Sequence, residues 1–514
     1  MLQTQSYARG ISLRELFADA QFFGAKDIRV GSCSADSRSC RPGDLFVALT
    51  GGTFDGHDFV RQALARGASA ILAERYLPVG GVPVCVVPDS RIAYGQLCQA
   101  LAGNPSRRLK VIGVTGTNGK TTTTALIASV LEAGGHRTGT LGTLGYNDGY
   151  ECEPATMTTP AAPCLAASLA RMESAGCSHA VLEVSSHALS QSRVAGIQFD
   201  AACVTNVRQD HLDYHGTLRN YRNAKAKLFR HLAPEALVVL NADDPASGDY
   251  LPLLHGPVLT VSLNDSEATD NVPSLTAQVV ERYRSEQTFL LSAGSVTLPV
   301  RTTLIGDHNV YNCLQAAAIG LAYGLDLATV VRGLEAVDRV SGRLERLECG
   351  QTYGVFVDYA HTPHALASVL DSLRRVTEGR LICVFGAGGQ RDRKKRPMMG
   401  RAVADRADLA IITTDNPRHE DPEGIATDIL SGIRDQSGVE LIPDRTRAIE
   451  RALSQAGPGD CVLLAGKGHE EYQVIDGENV PFDDREVARR WLYNLSSPTG
   501  VSWLDGAWMT VGNS

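Results

Sequence analysis

Short apolar runs separated by amphipathic stretches recur along most of the chain. Ala70 to Ala73, Val111 to Val114, Ala180 to Leu182, Ala201 to Val204, Leu237 to Leu240, Leu381 to Phe385, Leu409 to Ile412 and Cys461 to Leu464 are such runs, each leading into polar or glycine-containing sequence. Strands covered on both faces need continuous apolar runs, whereas half-exposed strands alternate. Between the runs, helices are expected over Thr121 to Ala133, stopped by Gly134-Gly135, and over Tyr221 to His231. The predicted class is α/β, built on parallel sheets.

A chain of 514 residues exceeds one ordinary core and suggests three domains. The polar, turn-prone Asn104-Pro105-Ser106-Arg107-Arg108 marks a first linker, and a softer boundary falls near Glu345 to Tyr353. The expected division is an N-terminal domain at 1–107, a central P-loop-type domain at 108–346, a Rossmann-like domain at 347–497 and a tail at 498–514. No internal repeat or low-complexity segment stands out, and Trp503 and Trp508 in the tail follow no periodicity.

The formal charge of −8 without a basic tract argues against a nucleic-acid surface. Twelve cysteines occur without C-x-x-C pairs, which signals neither a zinc ribbon nor a disulfide framework. No apolar stretch suits a signal peptide or a membrane span, so a cytoplasmic location is expected.

The run Val111 to Val114 feeds Gly116-Thr117-Asn118-Gly119-Lys120-Thr121-Thr122, and a helical pattern follows. Glycines turn backbone N–H groups toward an oxyanion, the helix start adds its positive dipole end, Lys120 adds charge, and the Thr121 hydroxyl suits Mg²⁺. The strict P-loop pattern is not met, because Val114 stands where its first glycine would fall. A nucleoside triphosphate is nevertheless the expected ligand. In open α/β sheets ligands lie beyond the strand C-termini. Glu183-Val184-Ser185-Ser186-His187 follows one run, and Asn206 and Asp210-His211-Leu212-Asp213-Tyr214-His215 follow the next. Taken singly, His211 or Asp213 is a turn cap, and Lys225 in Asn223-Ala224-Lys225-Ala226-Lys227 is a solvated helix lysine.

Together, the loop Gly116 to Thr122, Glu183, His211 and Lys225 resemble the central domain of the Mur ligase family, ATP-dependent amide ligases of peptidoglycan precursor synthesis. The resemblance implies that Lys225 is carbamylated by CO₂ and ligates Mg²⁺ with Thr121, Glu183 and His211. A carbamate turns a cation into a hard oxygen donor, which suits Mg²⁺. The likeness extends through Gly306-Asp307-His308-Asn309-Val310-Tyr311-Asn312, Gly342-Arg343 and Asp358-Tyr359-Ala360-His361-Thr362-Pro363, where it implies that Asn309, Arg343 and Asp358 meet the nucleotide.

Asp36-Ser37-Arg38, Gly43 to Ala48 and Asp55-Gly56-His57 are similar to the family's UDP-substrate domain, with Ser37 on that substrate. Thr158, Thr159, Ser185, Gln191 and Arg193 resemble its contacts to the muramoyl dipeptide, UDP-MurNAc-L-Ala-D-Glu. Gly51 to Phe54 departs from the family pattern, and Met157 stands where asparagine is often found.

Asp415-Asn416-Pro417-Arg418 is identical to the recognition motif of the meso-diaminopimelate-adding members. A guanidinium forks onto a carboxylate, and diaminopimelate has a distal carboxylate where lysine has none. Arg391, Gly466 and Glu470 match the same amino-acid pocket. The resemblance thus implies a monomeric ligase with ATP, Mg²⁺, the UDP-dipeptide and diaminopimelate as ligands. Its rivals are a lysine-adding or folylpolyglutamate-synthase-like ligase and a P-loop NTPase switch.

Overall fold

Every apolar run becomes a strand, most with a residue or two added: Lys110–Thr115, His179–Glu183, Phe199–Val204, Leu232–Asn241 and Cys461–Ala465 are extended versions, whereas Ala70–Ala73, Leu381–Phe385 and Leu409–Ile412 keep their expected bounds. The computed structural model describes residues 10–51, 54–264 and 273–496. The tail at 498–514 and part of Gly51 to Phe54 lie outside the described residues.

Three larger sheets follow one another along the chain. The first has five strands in the order Gln21–Phe23, Val84–Val86, Ala70–Ala73, Leu45–Val47, Cys33–Ser34, parallel except for its first pair. The second has eleven strands, and its parallel block begins Thr138–Gly142, His179–Glu183, Lys110–Thr115, Phe199–Val204, Leu232–Asn241. The third has six, in the order Glu345–Arg346, Gly354–Asp358, Cys461–Ala465, Leu381–Phe385, Leu409–Ile412, Val439–Leu441, parallel after its first pair. Glu345–Arg346 thus pairs into the third sheet two residues ahead of the boundary expected at 346/347.

The central strand explains why the runs are continuous. Ile112 and Val114 face one buried cluster with Leu126, Val130 and Val310, while Val111 faces another with Leu165, Leu169 and Leu228. Both faces are covered, so neither admits polar residues. The helix expected at Tyr221 to His231 is an α-helix, Leu218–Ala226, that tightens into a 3-10 turn at Lys227–His231. It starts earlier because the Thr217 side chain accepts from Asn220 N and caps it. Among the described residues no helix is long and apolar enough to cross a membrane.

Far from the strand C-termini, His179 packs between the rings of His136 and Tyr323, with centroids 4.7 and 5.1 Å away. Burial pushes its pKa down to about 4, and burial does the same to His308 and His469. Between pH about 6.5 and 4 the unfolded chain therefore holds more protons than the folded one, and stability falls as pH falls. In denaturant titrations at pH 7 and pH 4.5, His179→Gln should reduce the acid loss by on the order of 2 kcal/mol. An acid loss identical to that of the unmodified chain would contradict this.

Candidate active site

The strand order sets the site. Lys110–Thr115 lies between His179–Glu183 and Phe199–Val204, with Val114 opposite Glu183 and Thr115 opposite Val204. The glycine loop therefore leaves the sheet with Glu183 on one side and Thr205-Asn206 on the other. Thr117 N donates to Asn206 O at 2.8 Å, and Asn118 N to Asn206 Oδ1 at 3.1 Å. Two glycines are required by close approach. A Cβ on Gly116 (φ +151°) would stand 1.8 Å from Thr205 Oγ1, and one on Gly119 (φ +85°) 2.5 Å from Asn312 Oδ1. The helix Lys120–Ala133 then begins without a side-chain cap, which leaves its first turn to an anion.

Two lysines converge on the Gly116 carbonyl. Lys120 Nζ donates to Gly116 O and Thr117 O, both at 2.9 Å, and Lys225 Nζ donates to Gly116 O at 2.6 Å. Lys225 is buried, with Nζ 4.6 Å from the Tyr221 ring centroid. It is not the solvated helix lysine of its local sequence. Burial, and then the Lys120 charge, push its pKa well below the usual lysine value. Burial lowers Lys120 as well, opposed by Glu183 and Asp210.

Glu183 accepts from Thr121 Oγ1 at 3.0 Å and from Thr143 N at 2.7 Å. Thr143 Oγ1 also donates to Thr158 Oγ1 at 3.1 Å, which ties this carboxylate to the 158–159 loop. Thr159 Oγ1 donates to Glu183 O and accepts from Ser185 N, and Arg193 reaches Thr159 O and the Gln191 side-chain carbonyl. The five residues expected on the dipeptide thus share one surface. Ser37 stands apart, its hydroxyl donating to Gln62 Oε1 at 2.7 Å within the N-terminal unit.

His211 has φ +52°, and its Nε2 lies 3.4 Å from Asp210 Oδ2. Burial pushes its pKa down and keeps the imidazole neutral. Burial opposes the ionised form of Asp210, and the Lys395 charge and the His211 backbone N–H, donating to Oδ1 at 2.8 Å, counter it and keep its pKa low.

The third sheet supplies the opposite wall. Asp358, at a strand end, accepts from Leu344 N at 2.6 Å and Ala360 N at 2.7 Å. Arg343 lies over the Tyr359 ring at 4.6 Å and donates to Thr121 Oγ1 at 3.1 Å. Asn309 Oδ1 accepts from Asn312 Nδ2, whose Oδ1 in turn accepts from Thr123. These groups line a cavity of 470 Å³ that includes Thr117 to Thr122, Thr158, Glu183, Ser185, His211, Asn309, Arg343 and Asp358.

Further along the third sheet, Asp415 to Arg418 follow the strand Leu409–Ile412. Arg418 is held at φ +57°: its N–H donates to Val474 O, its carbonyl accepts from Asp476 N, and Nη1 donates to Gly389 O at 2.7 Å. Burial, and then the Arg391 guanidinium, lower its pKa. Two cations therefore address one region, an arrangement that favours an anionic ligand. Asn416 Nδ2 donates to Glu470 Oε2 at 2.9 Å, the Pro417 carbonyl packs on Gly389, and a Cβ on Gly466 would stand 2.5 Å from Asp415 Oδ2. The residues expected at an amino-acid pocket are brought together.

Residues 29–97 match the Mur ligase family catalytic domain, 114–320 the Mur ligase middle domain and 342–468 the Mur ligase glutamate ligase domain. The UDP-N-acetylmuramoyl-L-alanyl-D-glutamate–2,6-diaminopimelate ligase of Geobacillus thermodenitrificans is 45% identical over 461 residues, 88% of this chain and 93% of that protein. The chain belongs to the Mur ligase family. A ligase of the same name from Gloeobacter violaceus is 44% identical over 91% of the chain and 94% of its own length. A solved structure titled as this ligase superposes with TM-score 0.67 at 34% identity, covering 95% of the chain and 99% of its own.

Thr143, Asn312 and Tyr359 also line the cavity, although the sequence singles out none of them as a candidate. Asn312 had a usable signal: Asn309, Asn312 and Gln315 form a polar i, i+3, i+6 row on a helix where Val310, Cys313 and Leu314 between them are apolar and buried. Thr143 had none, because one threonine after Gly142 looks like any turn.

Proposed function

We propose that this Mur ligase joins meso-2,6-diaminopimelate to the γ-carboxylate of D-glutamate in UDP-N-acetylmuramoyl-L-alanyl-D-glutamate, cleaving ATP to ADP and phosphate. One observation carries the reading: a single cavity has the glycine loop, Lys120 and Glu183 on one wall and Asp358 and Tyr359 of the third sheet on the other. The Asp415 to Arg418 loop leaves that same third sheet. The 45% identity over most of both chains supports the same substrate set.

The carboxylate of the UDP-dipeptide attacks the γ-phosphate to give an acyl phosphate, and the diaminopimelate amine displaces phosphate from it. No protein nucleophile is required. The loop N–H groups and Lys120 bind the phosphates and offset their developing charge. Asn309, Arg343 and Asp358 hold the nucleotide. Thr158, Thr159, Ser185, Gln191 and Arg193 orient the dipeptide, while Ser37 serves the uridine end. Arg391, Asp415, Asn416, Pro417, Arg418, Gly466 and Glu470 receive diaminopimelate, whose distal carboxylate meets the Arg418 fork.

The donor set suits Mg²⁺. Thr121 and Glu183 already meet through oxygen, and Mg²⁺ takes one or two carboxylates together with substrate phosphates and water. Thr121, Glu183, His211 and a carbamate on Lys225 would hold the ion together with phosphate and water; among the described residues no three His, Cys, Asp or Glu side chains form a ready-made metal cluster. When bound, Mg²⁺ supplies charge neutralisation at the transferring phosphoryl group. Burial favours the neutral Lys225 amine that attack on CO₂ requires, and the resulting carbamate keeps one N–H for Gly116 O.

The enzyme acts as a cytoplasmic monomer in peptidoglycan precursor synthesis. Incubation with ATP, the UDP-dipeptide and either diaminopimelate or L-lysine should give, by mass spectrometry, the diaminopimelate tripeptide and no lysine product. ATP turnover in the absence of the UDP-dipeptide would sink the reading.

A further inference from the structure

Behind Asn416 and Glu470 stands a cation that the proposed reaction does not use. Lys467 is completely buried at the end of the strand Cys461–Ala465. Its Nζ donates to Asn416 Oδ1 and to Glu470 Oε2, both at 3.1 Å, with the Tyr472 ring centroid 6.0 Å away. Asn416 Oδ1 also accepts from Val474 N at 3.0 Å. Two donors at one amide atom require the oxygen there, which fixes the amide and directs Nδ2 to Glu470 Oε2 at 2.9 Å. Glu470 Oε2 therefore takes two bonds. Among the described residues, its Oε1 has only a long contact from the Tyr359 hydroxyl, at 3.4 Å.

A buried lysine beside a glutamate can be a bare structural ion pair. The exposure is lopsided, however. The Lys467 side chain is 0% exposed and that of Glu470 17%, so the lysine forms the rear of the pocket and the carboxylate its front. A buried ion pair is also a poor device for stability, since desolvation offsets most of the attraction.

We propose that Lys467 is a positioning residue of the amino-acid pocket: it clamps Asn416 and Glu470 in one arrangement and leaves Glu470 Oε1 available to a cationic amino group of the incoming substrate. This rests on the proposed function, which assigns Asn416 and Glu470 to diaminopimelate. Without the clamp, Asn416 Oδ1 keeps only Val474 N and Glu470 Oε2 keeps only Asn416 Nδ2, so both groups are held less firmly. The ligand must then order both groups on binding, a cost that appears in KM for the amino acid alone.

The test measures kcat and KM for ATP and diaminopimelate in the full chain and in Lys467→Met, Glu470→Gln and the double variant. Lys467→Met should raise KM for diaminopimelate by roughly 10- to 100-fold while KM for ATP holds. Because the lysine acts through the glutamate, the double variant should be little worse than Glu470→Gln. Lys467→Gln, which keeps one donor, covers the case in which the methionine variant does not fold and should show the same pattern more weakly. Multiplying effects in the double variant, or parallel rises in both KM values, would overturn the clamp. If Glu470→Gln impairs diaminopimelate use but neither lysine variant does, the clamp alone is wrong. If Glu470→Gln leaves KM for diaminopimelate unchanged, the assignment of Glu470 itself falls, and the clamp with it.

Discussion

Arg418→Ala should lower kcat/KM for meso-diaminopimelate by about 10²- to 10³-fold, the usual consequence of truncating one partner of a buried, hydrogen-bonded charge pair. KM for ATP should stay near its unmodified value, because Arg418 lies in the loop after Leu409–Ile412 and does not line the nucleotide cavity. The ratio of kcat/KM between diaminopimelate and L-lysine should collapse as well. A site built to bond a substrate group rejects the analogue lacking it by roughly 10⁴-fold, since its own buried group is left unpaired. Removing the arginine removes the penalty. Arg418→Lys should recover little, because a point charge does not reproduce a planar fork already anchored on Gly389 O. Steady-state kinetics with both amino acids decides this, and an unchanged ratio in Arg418→Ala would end the assignment.

Lys225→Ala should cost about 10³-fold in kcat, comparable to losing a preorganised electrostatic group at a transferring phosphoryl. The lysine is buried, donates to the loop carbonyl of Gly116 and has its pKa pushed well down, first by burial and then by Lys120. A neutral amine adds to CO₂, loses one proton and becomes an anionic oxygen donor. Small carboxylates such as formate or acetate should therefore restore part of the activity to Lys225→Ala, whereas chloride at equal ionic strength should not. If activity survives the substitution in full, the carbamate has no place in the reaction. If it is lost and no carboxylate restores it, the lysine serves only to brace Gly116.

The sheets were legible because each apolar run is short, continuous and ends at polar or glycine-rich sequence; Ala70–Ala73, Leu381–Phe385 and Leu409–Ile412 needed no adjustment. Strand order was not legible, since nothing within Lys110 to Thr115 states that Glu183 and Asn206 will flank it. Local pattern even misleads at Lys225, which stands on a polar helix with Arg222 and Asn223 and is nonetheless buried. Only the family resemblance singled it out. Thr143 joins Glu183 to Thr158 through one backbone donor and one hydroxyl, a role that depends on a fold bringing together residues 40 apart.

The placement of the loop strand also bears on synthesis at the ribosome. Gly116 to Thr122 emerge early, yet the groups that hold them come much later: Asn206 and Lys225 lie 88 and 109 residues from their loop partners, and Arg343 lies 222 from Thr121. A nascent chain that stops short of Asn206 has the glycines without the walls that shape them. The loop is therefore braced on all sides only once Arg343 has been made, so a nucleotide site of this shape is a late product of synthesis.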